Sequence, residues 1–132
     1  MEIKDKVVLI TGSSSGIGQT AAIRFAKEGA KVVVNYRENL TGAKDIVKQI
    51  IDLGGSAISV QRDITKDDDI QKMVDITLEE YSTIDILINN VAFPNDRIPY
   101  FEASSDDIKF LINTDLIAPM CVTQHVLKIM QR

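Results

Sequence analysis

The chain has 132 residues, a length that suits one domain with one buried core. With 45% hydrophobic and 26% charged residues, its composition is that of an ordinary globular protein and excludes a disordered or fibrous one. A formal net charge of -4 argues against a nucleic-acid or anionic-membrane surface, and no block of lysine or arginine stands out.

A single cysteine, Cys121, excludes an internal disulfide and fits a reducing compartment, with a small buried side chain on a helix as its simplest role. The opening stretch "MEIKDKVVLI" is charged and runs into a strand pattern, unlike a signal peptide. No apolar run approaches the ~20 residues that cross a bilayer. The expected location is the cytoplasm.

Lys6 to Ile10 is mostly β-branched and too short for a helix, so it predicts the first strand. A helix from about Gly16 places Ile17, Ala21, Ala22 and Phe25 on one face and ends at Gly29, a left-handed cap. The second strand is "KVVVNY". A second helix follows Thr41, buries Ala43, Ile46, Val47 and Ile50, and stops at Gly54 and Gly55. "AISVQ" is the third strand. Asp67 then caps a helix with Ile70, Met73, Val74, Thr77, Leu78 and Tyr81 at helical spacing.

The fourth strand, "IDILIN", leads to a loop with Pro94, Asn95 and Pro99. A last helix from about Ser105 to Met130 carries an expected kink at Pro119 and turns Ile108, Leu111 and Ile112 to the core. Four strand–helix units in series imply an α/β fold, a doubly wound parallel sheet in the order 3-2-1-4. In that order the fourth strand is an apolar edge, which invites pairing with a second chain or a further strand. The opposite edge carries Ser59, Gln61 and Arg62 and suits solvent.

The stretch "TGSSSGIG", Thr11 to Gly18, joins the first strand to the first helix. Its glycines let the backbone approach a pyrophosphate, which meets the amides and positive dipole of a helix N-terminus. Ser13, Ser14 and Ser15 add hydroxyl donors. Asp67-Asp68-Asp69 reads as a helix start rather than a metal site, and no metal-ligand spacing is found. His125, the sole histidine, reads as a solvated or interface side chain.

"TGSSSGIG" after strand one, "RDI" after strand three and "INN" after strand four together resemble the short-chain dehydrogenase/reductase family, and "NTDLIAPMCVTQHVLKIM" looks like its fourth helix. The resemblance covers essentially the whole chain, as one Rossmann-like dinucleotide-binding domain over 1–132 that stops before the fifth strand. Within the family it is most similar to bacterial glucose dehydrogenases and β-ketoacyl carrier-protein reductases.

By that resemblance, Gly12, Gly16, Ile17 and Gly18 line the pyrophosphate. Asp63 and Ile64 lie against the adenine, with Asp63 accepting from its amino group. Asn89, with Asn90 and Val91 beside it, binds near the ribose and braces the sheet. For Asp63 an Asx-type turn is the alternative.

Strand two ends in Asn35, Tyr36 and Arg37, without the carboxylate that would accept from a ribose 2′-hydroxyl. The Arg37 guanidinium suits a 2′-phosphate, so NADP(H) is favoured over NAD(H). Glu38 would blunt this preference, and a solvated loop charge is the other reading of Arg37.

The family transfers a hydride between nicotinamide and a small carbonyl or alcohol, using a serine and a Tyr-x-x-x-Lys pair. Tyr36, Tyr81 and Tyr100 are followed four positions later by Leu40, Asp85 and Ser104, so that pair is not among these residues. Asp115 stands at the family's relay asparagine; Asn113 is two positions away. "NNVA" replaces "NNAG", with Val91 and Ala92. Two readings stay open: the cofactor-binding half of an oxidoreductase, inactive alone and needing more chain for its substrate, or a non-catalytic nucleotide-binding or dimerisation module. A homo-oligomer through strand four, the last helix or both is expected.

Overall fold

Four strands, β1 (Val7–Ile10), β2 (Lys31–Tyr36), β3 (Ser56–Gln61) and β4 (Ile86–Ile88), pair in parallel in the order β3-β2-β1-β4. This is the doubly wound layout that the alternating patterns predict. The structure is a computed structural model and describes residues 2–92 and 98–132.

β1 lies between β2 and β4, with Val8 opposite Val32 on one side and Ile86 on the other. Because strand side chains alternate, Val7 and Leu9 enter one apolar layer and Val8 and Ile10 the other. The first layer includes residues of α3 (Asp67–Tyr81) and α5 (Ala118–Met130), the second those of α1 (Gly16–Lys27) and α2 (Leu40–Asp52). All four β1 side chains are at most 1% exposed. Burial of this kind contributes roughly 1.5–3 kcal/mol per side chain. The continuous "VVLI" run is thus explained by a strand covered on both faces.

Helix boundaries depart from the sequence reading in two places. α2 begins at Leu40 rather than after Thr41, because the Asn39 side chain caps it and accepts the Gly42 N–H at 3.1 Å. α3 has Lys66 rather than Asp67 at its cap, with no side-chain cap bond. Asp67, Asp68 and Asp69 fill its first turn, where negative charge complements the helix dipole. Asp69 turns back to accept the Asp63 N–H at 3.0 Å. α1 closes as predicted, with Gly29 in the left-handed region.

The predicted last helix is three segments: α4 (Ser105–Ile112), a π turn (Asn113–Ile117) and α5. Pro119 sits in the first turn of α5, where its missing N–H costs nothing, and the irregularity falls one turn earlier. A π turn holds an extra residue and rotates the face that follows. The apolar face of α4 therefore does not continue into α5. Ile108, Leu111 and Ile112, expected in the core, are exposed; Ala118, Val122 and Val126 of α5 fill it instead.

β4 is shorter than "IDILIN", and its three residues are half-buried at the sheet edge. Asp85, just before it, accepts the Val7 N–H at 2.8 Å and meets Lys6 at 3.5 Å, which ties β4 to the start of β1. Pro99 precedes a 3₁₀ turn, Tyr100–Glu102. Phe93, Pro94 and Asn95 lie outside the described residues. No described helix is long and apolar enough to cross a membrane.

Candidate functional site

The carboxyl ends of the four parallel strands lie together, and the order in which strands are added to the sheet reverses between β1 and β4. Parallel α/β sheets bind ligands at such a point. Here Thr11 holds the two strand ends together. Its N–H donates to the Ile88 carbonyl at 3.0 Å, and its hydroxyl oxygen accepts the N–H groups of Asn90 and Val91 at 2.9 and 3.3 Å.

Asn35, at the end of β2, does the same for the other side. Its Oδ1 accepts the Gly12 N–H at 3.1 Å, while its Nδ2 donates to the carbonyls of Val60 and Arg62 at 3.3 and 3.1 Å. Its backbone carbonyl accepts the Ser13 N–H at 2.9 Å. Asn35 was expected among the cofactor contacts. It does border the cleft, yet it is 1% exposed and its amide is committed to bracing the loop.

The loop from Gly12 to Gly18 is closed on one side and open on the other. A Cβ added to Gly18 would stand 2.5 Å from Asn90 Nδ2, 2.8 Å from Ser13 Cα and 2.9 Å from the Gly12 oxygen. Only glycine lets the helix start this close to the loop. Gly16 has φ +57°, and a Cβ there would meet nothing within 4 Å. That is the open side.

Ser15 occupies the α1 cap with extended backbone, and its hydroxyl makes no cap bond. The first turn holds no acidic residue. Gln19 N–H is bonded to the Ser15 carbonyl at 3.2 Å, but the amides before it are the unsatisfied donors of any helix start. Together with the helix dipole they form a receptor for an anion.

From these amides a cleft of about 330 Å³ runs across the ends of β2 and β3, within the ~300–1,000 Å³ typical of small-molecule sites. Gly12, Ser14 and Ser15 line one part, Arg37, Asp63 and Ile64 another. Val91 lines it as well, close enough that a Cβ on Gly12 would be 2.7 Å from its Cγ2. Ile64 is also a core residue, 4% exposed.

The Arg37 guanidinium is half exposed and 3.5 Å from the Glu38 carboxylate. Asp63 forms the Asx-type turn left open by the sequence. Its Oδ1 accepts from the Thr65 N–H at 2.9 Å and the Thr65 hydroxyl at 2.7 Å. Burial pushes the Asp63 carboxyl up, but those bonds and the charges of Arg37 and Lys66 outweigh it and hold it below the usual carboxylate range.

Several expected residues lie elsewhere. Ile17 is 83% exposed on the outside of α1, neither in the core nor in the cleft wall. Gly16 and Gly18 shape the loop without bordering the cleft. Asn89 faces away and donates to the Thr123 hydroxyl on α5 at 3.0 Å. Successive residues of an extended segment point to opposite sides, so the cleft receives Asn90, whose Nδ2 donates to the Gly12 carbonyl at 2.9 Å.

Asp115 sits in the π turn and lines, with Asn89, Leu116 and Met120, a separate groove beside β4. His125 is not solvated: its side chain is 10% exposed between α5 and α3. Its Nδ1 donates to the Cys121 carbonyl at 2.9 Å, and its Nε2 lies 3.9 Å from Asp67. Cys121 is half-buried against the core.

Phe110 and Thr114 also border the cleft and were not singled out from the sequence, and Arg62, expected on a solvent-facing edge, lines it too. Arg62 adjoins Asp63 in "RDI", which was a usable signal. Phe110 and Thr114 were hidden by the π turn, which sets a helix face that no regular period describes.

A family profile described as short chain dehydrogenase matches residues 6–132. A 3-oxoacyl-[acyl-carrier-protein] reductase of Synechocystis is 36% identical over 125 residues, which are 95% of this chain and 50% of that protein. Glucose 1-dehydrogenase 2 of Bacillus subtilis is 36% identical over 87% of this chain and 45% of its own length. The chain thus spans about half the length of these two relatives. Among solved structures, a short chain dehydrogenase from Burkholderia cenocepacia in complex with NADP is 30% identical, with a TM-score of 0.90 over 97% of this chain and 52% of that one.

Proposed function

Because this chain belongs to the short-chain dehydrogenase/reductase family, we propose that it is the cofactor-binding half of an NAD(P)-dependent oxidoreductase of the carbonyl reductase or alcohol dehydrogenase type. The observation that carries this reading is the uncapped, acid-free start of α1 opening onto the cleft. The cofactor fits what the residues offer. The amides at Ser14 to Gly18 would hold the pyrophosphate, Asp63 and Ile64 the adenine side, and Val91 the middle of the cleft. Bound nicotinamide supplies the hydride acceptor or donor. With no Tyr-x-x-x-Lys among these residues, the chain as given binds cofactor and does not turn over a carbonyl or alcohol.

NADP(H) is the preferred form. No carboxylate ends β2, and Arg37 stands at the cleft with only a 3.5 Å contact to Glu38, longer than a good charge-assisted bond. A guanidinium–phosphate bond contributes about 1.5–3 kcal/mol, or about 10- to 100-fold in affinity. Arg37→Leu should therefore weaken NADPH binding by about 10- to 100-fold and leave NADH within about twofold, as read by calorimetric titration. Equal losses for both would remove Arg37 from the 2′ position. Wild-type chain that binds neither would remove the dinucleotide reading.

A second reading, a dimerisation module without catalysis, is favoured by the apolar flank of β4. Leu116, Met120 and Leu127 are 52%, 63% and 45% exposed beside the unpaired strand edge. A homo-oligomer through this flank should appear in light scattering as at least twice the chain mass. Met120→Lys should return it to the monomer; a wild-type monomer at all concentrations would exclude the assembly.

A further inference from the structure

Among the described residues, three asparagine side chains bond to the glycine loop. Asn35, at the end of β2, accepts the Gly12 N–H at 3.1 Å, and Asn90, after β4, donates to the Gly12 carbonyl at 2.9 Å. The third is Asn39, the cap of α2. Its Oδ1 accepts the Gly42 N–H at 3.1 Å, and its Nδ2 donates to the Ser14 carbonyl, 25 positions earlier, at 3.1 Å. A hydroxyl or a carboxylate would cap the helix as well as an amide does. The nitrogen end is what the cap does not need. Backbone of α2 approaches the same carbonyl: a Cβ added to Gly42, the third residue of the helix, would collide with the Ser14 oxygen and with Asn39 Nδ2. Glycine is disfavoured inside a helix, and this close approach accounts for it.

What the contact fixes is a direction. The peptide between Ser14 and Ser15 is planar and trans, so its carbonyl and its N–H point opposite ways. With the carbonyl held against α2, the Ser15 N–H is directed away from α2, at the head of an exposed run from Ser15 to Ile17. Were this peptide to rotate, an oxygen would meet an anion where a donor is needed. We propose that Asn39 is a positioning residue for the anion-binding loop: it anchors the Ser14 carbonyl to α2 and so sets the Ser15 amide for the diphosphate, without itself touching the dinucleotide. The inference rests on the dinucleotide reading above and adds to it a residue outside the loop. Asn39 follows Arg37 by two positions and borders the cleft, so a direct bond to a 2′-phosphate is the competing role. The two roles separate by cofactor, since NADPH and NADH share the diphosphate and only NADPH carries the 2′-phosphate.

The test uses Asn39→Ser and Gly42→Ala in the full chain, with NADPH and NADH affinities and the ligand-free unfolding temperature measured for each. Serine keeps the helix cap and has no nitrogen end to reach Ser14. Asn39→Ser should unfold at the wild-type temperature and lose about 3- to 10-fold in affinity, as expected for one hydrogen bond, equally for both cofactors. Gly42→Ala, which pushes on the same carbonyl, should lose at least as much for both. An Asn39→Ser chain whose affinities fall less than about threefold would overturn the proposal and leave the dinucleotide reading standing. So would a loss for NADPH alone, which would make Asn39 a direct contact to the 2′-phosphate. A loss matched by a lower unfolding temperature would mark Asn39 as part of the fold only and overturn it too. Gly42→Ala binding as wild type would show that the Ser14 carbonyl need not be held, with the same consequence. Wild-type chain that binds neither cofactor would overturn both readings.

Discussion

Gly18→Val should lower dinucleotide affinity by about 100-fold or more. That factor corresponds to about 2.7 kcal/mol, and forcing carbon into a filled space costs roughly 1–3 kcal/mol. The space at Gly18 is filled by three groups that cannot all yield. Asn90 Nδ2, Ser13 Cα and the Gly12 oxygen lie 2.5, 2.8 and 2.9 Å from the position of a Cβ. Two of them are backbone, and the third donates a hydrogen bond to the loop. The collision is relieved by moving the start of α1 away from the strand ends, which carries the anion-binding amides with it. Gly16→Ala is the comparison for stability. In the ligand-free chain its Cβ meets no protein atom within 4 Å, and only the strain of φ +57°, about 1–2 kcal/mol, remains. Calorimetric titration with NADPH, paired with thermal unfolding, separates the two. Gly18→Val should lose binding beyond what its stability loss explains.

Asn35→Ala should destabilise the fold by about 2–4 kcal/mol, because one truncation leaves several buried groups without partners at about 1–3 kcal/mol each. The Gly12 N–H and the carbonyls of Val60 and Arg62 all lose their bond. They belong to the loop after β1 and to the end of β3, so the side chain links three neighbouring strands through β2. Asn35→Asp is the sharper variant. It retains the acceptor for Gly12, but turns a second oxygen toward two carbonyl oxygens and buries a negative charge. Urea unfolding should place both variants below wild type, with the aspartate lower at neutral pH. A wild-type midpoint for Asn35→Ala would mean that the loop is held by other means.

The residues that read correctly are those whose surroundings are local. The β1 run is apolar on both faces because α1 and α2 cover one side and α3 and α5 the other, and a continuous "VVLI" says so directly. The order β3-β2-β1-β4 follows from three right-handed crossovers. The glycine loop announces itself by composition. What failed depends on rotation about an axis. Ile17 follows the helical period on paper, but α1 turns Gly18, Ala22 and Ala26 to the interior, and Ile17, one position round from that face, ends outside.

Asn89 and Asn90 are one residue apart, and extended geometry sends them to opposite sides. Ile108, Leu111 and Ile112 were placed by carrying one helical face through Pro119, whereas the π turn breaks that face first. Asn35 was legible as a residue at the ligand end of β2 but not as a brace, since its partners come from segments 23 to 27 positions away.

The central claim is that free amides at the entrance to α1 hold the diphosphate of a dinucleotide. Backbone amide resonances of the isotope-labelled chain, followed during titration with NADPH, report on those groups one by one. The signals of Ser14 to Gly18 should shift together and saturate along a single binding curve, ahead of those around Leu116 and Met120. Shifts confined to the β4 groove, or amides at Ser14 to Gly18 that stay still at millimolar NADPH and NADH, would contradict it.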